Sequence, residues 1–97
     1  MATFRLTKQA QADLISIARY TQKEWGSTQR NLYLKDMDTC FHELSVNPSM
    51  GKACNEIREG YSKFPQGKHV IFYKSVSTQE ILIVRVLHQN MDFASKF

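Results

Sequence analysis

Residues 56–92, EIREGYSKFPQGKHVIFYKSVSTQEILIVRVLHQNMD, decide the fold of this chain. The stretch reads as three strands joined by two tight turns. Ile57, Tyr61 and Phe64 belong to the first strand, and Pro65-Gln66-Gly67 turns it into the second, His69 to Lys74. Ser75 to Gln79 turns again into the third, Glu80 to His88. That last strand holds the densest apolar run, Ile81-Leu82-Ile83-Val84, with Arg85 alone standing before Val86-Leu87. The second and third strands are apolar on both faces, as central strands with a helix layer on one side and some cover on the other should be.

The residues upstream supply that helix layer. Thr3 to Leu6 alternates Phe4 and Leu6 with polar neighbours, so it reads as a short strand. Thr7 then caps a helix from Lys8 to Trp25, whose Ala10, Leu14, Ile17, Ala18, Thr21 and Trp25 recur at three- and four-residue steps. This register makes Trp25 a core residue. Gly26 ends the helix, because glycine takes the left-handed conformation a helix terminus often needs. Ser27 or Thr28 caps a second helix with an inner stripe of Tyr33, Met37, Cys40, Phe41 and Leu44, and Asn47-Pro48 closes it. So short a link implies an antiparallel hairpin, and the sheet is what its two apolar stripes can cover. Pro48 to Asn55 reads as a loop. The order strand, helix, helix, three antiparallel strands predicts an α+β two-layer sandwich.

Composition narrows the class. A chain of 97 residues with 42% hydrophobic content forms one domain, residues 1–97, burying roughly 60–65% of the surface its unfolded form would expose. The first residues lack an apolar signal region, and no apolar run is long enough to span a bilayer, which predicts a cytosolic protein without membrane contact. Cys40 and Cys54 lack the close pairing of a zinc or redox motif and read as small packing residues. A formal net charge of +4 favours an acidic partner, either nucleic acid or an acidic protein segment. Lys8, Lys23, Arg30 and Lys35 read as a solvated helix face able to steer it.

No glycine loop has the spacing that cradles a phosphate, and His42, His69 and His88 are not spaced as metal ligands on one element. No cofactor is expected. What remains is polar residues on the sheet and just after it: Arg58 in the first of the three strands, Arg85 in the last, then His88, Asn90 and Asp92. Strict alternation places Arg85 with Ile81, Ile83 and Leu87, opposite a Leu82, Val84, Val86 face turned toward the helices. Arg85 has two readings. It pairs with Glu59, Glu80 or Asp92 as a structural ion pair, or its planar fork meets a phosphate or carboxylate. His88 is either a hydrogen-bonded structural residue or a general base.

LTKQAQADLISIARYTQKEWG, QRNLYL, NPSMGKACNEIREGY, GKHVIFY and IVRVLHQNMD, in this order from Leu6 to Asp92, together resemble the ParE toxins of bacterial ParDE toxin–antitoxin systems, within the ParE/RelE superfamily. The resemblance implies the two-layer fold and a non-enzymatic toxin that poisons DNA gyrase by trapping it with cleaved DNA. It also implies a ParD antitoxin whose C-terminal segment wraps the toxin in a hetero-oligomer. DNA reading falls to the antitoxin, so no sequence-specific DNA binding is expected of this chain alone. Arg85, His88, Gln89, Met91 and Asp92 become the expected gyrase-directed positions, with Arg58 supporting them from a neighbouring strand. Against that, Met91 has a packing reading as a plug at the sheet's end, and Asp92 reads as a cap on a final turn. The superfamily's RelE-like branch, which cleaves messenger RNA on the ribosome, is the alternative, with Arg58, Arg85 and His88 as its catalytic candidates. The tail Phe93 to Phe97 offers it no hydroxyl-bearing aromatic, and no role for that tail is legible.

Overall fold

The computed structural model describes residues 2–97. Its elements are β1 (Thr3–Leu6), α1 (Lys8–Trp25), α2 (Ser27–Val46), β2 (Lys52–Ala53), β3 (Ser62–Gln66), β4 (His69–Ser77) and β5 (Glu80–His88), with single 3-10 turns at Pro48–Met50 and Phe93–Lys96. The five strands form one sheet in the order β1-β5-β4-β3-β2. It is mixed rather than purely antiparallel, because β1 runs parallel to β5. The α+β two-layer arrangement is as expected.

Thr7 caps α1 as its hydroxyl predicts: Oγ1 accepts the Ala10 N–H at 3.0 Å. The same hydroxyl donates to the Val84 carbonyl at 2.7 Å, so the cap also fixes the helix start against β5. Gly26, at φ 91°, ends α1 by donating its N–H to the Gln22 carbonyl at 2.9 Å. It is also the residue that precedes α2, with no side-chain cap, so neither Ser27 nor Thr28 plays that part. Both lie within the helix already.

The main core lies between the helices and the sheet. Ala10, Ile17, Met37, Cys40, Phe41 and Leu44 meet Ile71, Tyr73, Ile81, Ile83 and Val86, with Phe4, Leu6, Leu14, Tyr33 and Phe64 around them. Ile81, Ile83 and Val86 cannot share a face under strict alternation. They do because β5 bulges: Tyr73 pairs with Ile83 but Phe72 with Arg85, leaving Val84 as an extra residue. The alternation reading is therefore right for Val86 and Leu87 and inverted for Ile81 and Ile83, which face the helices. A second, smaller core on the far face joins Cys54, Phe72 and Leu87, covered by Ile57, Tyr61, Val70, Phe93 and Phe97. Both cysteines are free and buried, one in each core.

Four other expectations are corrected. Trp25 is 66% exposed: its register is sound, but by that turn α1 lies over a cleft lined by Gly67, Lys68 and His69 instead of over apolar sheet. The Pro48 to Asn55 segment is not all loop, since Lys52–Ala53 pairs with Ser62–Lys63 as β2. Arg58 is not in a strand. Residues 55–60 turn back on themselves, with the Ile57 and Arg58 N–H groups donating to the Cys54 carbonyl, and the next strand starts only at Ser62. Pro65 and Gln66 extend β3, which leaves Gly67 (φ 60°) and Lys68 as the two-residue hairpin turn that a left-handed glycine permits.

Candidate functional site

Two adjoining clefts, of about 450 and 530 Å³, run along α1 over the ends of β4 and β5. Tyr20, His69 and His88 line both, so they form one trough with the histidines at its centre. The histidines come together because His69 of β4 pairs directly with His88 of β5. Their rings meet edge-to-face with centroids 5.4 Å apart.

Each ring is oriented by a second partner. His69 Nδ1 lies 2.6 Å from the Tyr33 hydroxyl, which also accepts the Lys68 N–H at 3.1 Å and reaches the Gln66 carbonyl at 3.2 Å. This clasp ties α2 to the β3–β4 turn, and Gly67 is required there because a Cβ would stand 2.7 Å from the Tyr33 ring and hydroxyl. Burial pushes His69 down to about 4, helped by neighbouring His88 and opposed by Asp13, so its imidazole is neutral at pH 7. Burial also raises the Tyr33 phenol, keeping it a hydroxyl. His88 Nδ1 accepts the Asn90 N–H at 3.2 Å. Its neutral ring therefore carries the proton on Nε2.

At the other end of the trough, Asp13 of α1 holds the guanidinium of Arg85 bidentately, at 2.8 Å to Nε and 2.9 Å through Nη2. Its Oδ2 also accepts the Val86 N–H at 3.0 Å. β1 stops opposite Ile83, so this carboxylate satisfies a strand edge that the bulge leaves open. Arg85 Nη1 goes on to donate to the Lys96 carbonyl at 3.2 Å, binding the C-terminal tail to the same knot. Both side chains are about 15% exposed, and the pairing holds Arg85 firmly protonated. Arg85 is thus a structural ion pair, with Asp13 as its partner in place of Glu59, Glu80 or Asp92. Asp13 was legible in principle: it stands three residues after Ala10 and four before Ile17, a carboxylate at the margin of the buried stripe.

The structure brings Arg85, His88 and Met91 to one cleft and leaves the other expected positions apart. Arg58 is exposed on the turn before β3, two strands from β5 in the sheet order. Gln89 is exposed and held by its main chain, donating to the Lys68 carbonyl at 2.9 Å. Met91 is 45% exposed and plugs nothing; the tail aromatics Phe93 and Phe97 cover the far-face core without it. Asp92 precedes the last 3-10 turn but its side chain makes no capping bond there. Tyr20, Trp25, Tyr33, Lys68 and His69 all lie on the trough; periodicity assigned Trp25 and Tyr33 to the core and His69 to a strand, and singled out neither Tyr20 nor Lys68. Among the described residues no cluster of three or more His, Cys, Asp or Glu could hold a metal ion, and no helix is long and apolar enough to cross a membrane.

Residues 4–93 match the family described as the ParE toxin of the type II toxin-antitoxin system, parDE. Toxin ParE1 of Mycobacterium tuberculosis is 40% identical over 89 residues, spanning 92% of this chain and 91% of that protein. Toxin ParE1 of Caulobacter vibrioides is 35% identical over 92 residues, 95% and 94% of the two chains. Among solved structures, a chain of the chromosomal ParDE TA system from P. aeruginosa superposes with a TM-score of 0.75 at 18% identity, covering 91% of this chain and 96% of that one. A chain of the toxin–antitoxin complex RelBE2 from Mycobacterium tuberculosis gives 0.58 at 23% identity over 91% and 98%. These two share the fold. With two curated ParE1 toxins aligned along more than nine-tenths of its length, the chain belongs to the ParE toxin family of type II toxin–antitoxin systems.

Proposed function

We propose that this chain inhibits DNA gyrase by stabilising the enzyme's cleavage complex, and that a ParD antitoxin neutralises it by wrapping the helical hairpin. Its family membership motivates the reading, and one structural observation favours it over a ribonuclease. Of the three expected catalytic residues, Arg58 lies two strands away and Arg85 is committed to Asp13, which leaves His88 without a free guanidinium beside it. Stabilising a phosphorane-like charge needs donors that are free to meet it. The gyrase-directed surface in this reading is the end of β5 with the residues just beyond it, His88, Gln89, Met91 and Asp92, while Arg85, committed to Asp13, supports them from beneath. Arg58 drops behind them for its distance.

The antitoxin has a suitable seat. A cleft of about 440 Å³ between the helices and β1 is lined by Phe4, Leu6, Leu14, Ile15, Leu34 and Phe41 among others, with Ile15 53% exposed at its rim. An amphipathic segment could place apolar anchors there. Purified chain incubated with gyrase, ATP and plasmid should accumulate linear DNA after protein digestion while leaving ribosome-bound RNA intact. Normal supercoiling with cleaved RNA would overturn the proposal. Added ParD should abolish the effect and protect amides between residues 8 and 47 from exchange.

A further inference from the structure

The trough carries aromatic surface that neither an ion pair nor a core explains. Tyr20 and Trp25, on the second half of α1, are 62% and 66% exposed and stand over the cleft that holds His69, His88 and Lys68. The charge of the lining is one-sided. Asp13 is the carboxylate among the lining residues, and it is consumed by Arg85 and the Val86 N–H. Lys68 and Lys96 remain as cations without a paired carboxylate among the described residues. His88, whose Nδ1 is occupied as an acceptor, presents Nε2–H as a further donor. Flat apolar faces beside cations and neutral donors fit a ligand that is planar and apolar in one part and anionic in another.

We propose that this trough binds single-stranded nucleic acid, with unpaired bases stacking on Trp25 and Tyr20 and backbone phosphates meeting Lys68, Lys96 and His88. Stacking on an exposed aromatic is open to any base, so the binding is sequence-tolerant. A duplex cannot use it, since its bases are already stacked. An acidic peptide would satisfy the lysines and leave both aromatic faces bare. Each cleft, near 450 and 530 Å³, is of a size that encloses a small planar ligand. Such binding goes beyond the gyrase reading and does not depend on it.

Trp25 is the sole tryptophan of the chain, so its emission reports the site directly. Oligothymidylate and oligouridylate of about ten nucleotides, titrated without gyrase present, should quench Trp25 saturably, and their relative strength tells DNA from RNA as the source. A duplex of equal length and polyglutamate should bind more weakly and leave the emission unchanged. By anisotropy of labelled oligonucleotide, Trp25→Leu and Tyr20→Leu should each weaken binding about tenfold, and Lys68→Gln should flatten the salt dependence. Both aromatics are exposed, so circular dichroism should show the variants folded. Equal affinity for duplex and single strand, unchanged affinity in both aromatic variants, or a preference for polyglutamate would overturn the proposal. Because gyrase is absent throughout, such a failure leaves the cleavage-complex reading standing.

Discussion

The two faces of the sheet are closed in different ways. On one, α1 and α2 lay continuous apolar stripes over Ile71, Tyr73, Ile81, Ile83 and Val86. On the other, three buried residues, Cys54, Phe72 and Leu87, are covered by a turn and by the last residues of the chain. Phe93 and Phe97 both meet the Phe72 ring edge-on at 5.0 Å, and Phe97 meets Tyr61 at 5.7 Å. The helix face is thus cooperative with the whole fold, whereas the far face is covered by a short segment able to open on its own. The tail, which has no periodicity to read, is the piece that makes β4 and β5 central strands with two dry sides.

The largest effect belongs to the helix face. Leu44 is fully buried, so Leu44→Ala leaves a cavity no neighbour can leave its helix to fill, and should cost about 3–4 kcal/mol in urea unfolding. A loss below about 1 kcal/mol would mean the hairpin is not the main cover and the contrast between faces is wrong.

Next comes the knot that joins the two faces. Asp13→Ala strands the Arg85 guanidinium and the Val86 N–H together, with an expected cost of about 2–3 kcal/mol. Arg85 also grips the Lys96 carbonyl, so the same variant should loosen the tail. Hydrogen exchange would show faster amides over residues 93 to 97 than in Leu44→Ala compared at equal stability. Equal exchange in the two variants would remove the link between knot and tail.

The tail itself should matter less. Phe97→Ala removes two edge-on ring contacts from a half-buried residue and should cost about 1–2 kcal/mol. Amide protection should fall around Cys54 to Tyr61 and stay unchanged in α1 and α2. Uniform loss across both layers would show that the far face is no separate unit.

Legibility in the sequence follows the same division. Helix periods exposed the helical half of the main core, Thr7 and Gly26 marked where α1 begins and ends, and alternation turned Val86 in and Leu87 out correctly while inverting Ile81 and Ile83. What failed was non-local. The bulge at Val84 is set by register against β4, and nothing within ILIVRVL announces an extra residue. Trp25 keeps the core register after the core beneath it has run out. His69 and His88 are nineteen residues apart in sequence and direct partners across two strands, so their meeting appears only once the hairpin is closed. The site is built from such meetings, which is why its residues were named one at a time and mostly without their partners.

The smallest effect lies where the helix-side core ends. His69 has its ordinary 6.5 lowered to about 4, chiefly by burial. Its folded form stays neutral while the unfolded chain takes up a proton below 6.5. The stability it allows is therefore fully present above pH 6.5 and drains away as pH falls toward 4. The whole shift is worth at most about 3 kcal/mol, and the half-open position reduces this to about 1 kcal/mol. Falling pH also protonates carboxylates, so the comparison must be internal. Between pH 7 and 4.5 the parent should lose about 1 kcal/mol more than His69→Gln, whose neutral amide can still meet the Tyr33 hydroxyl. Parallel losses would mean that His69 takes its proton by leaving Tyr33 in a local opening that costs little. The α2 clasp would then belong with the far-face tail, as cover that gives way locally, and not with the cooperative core.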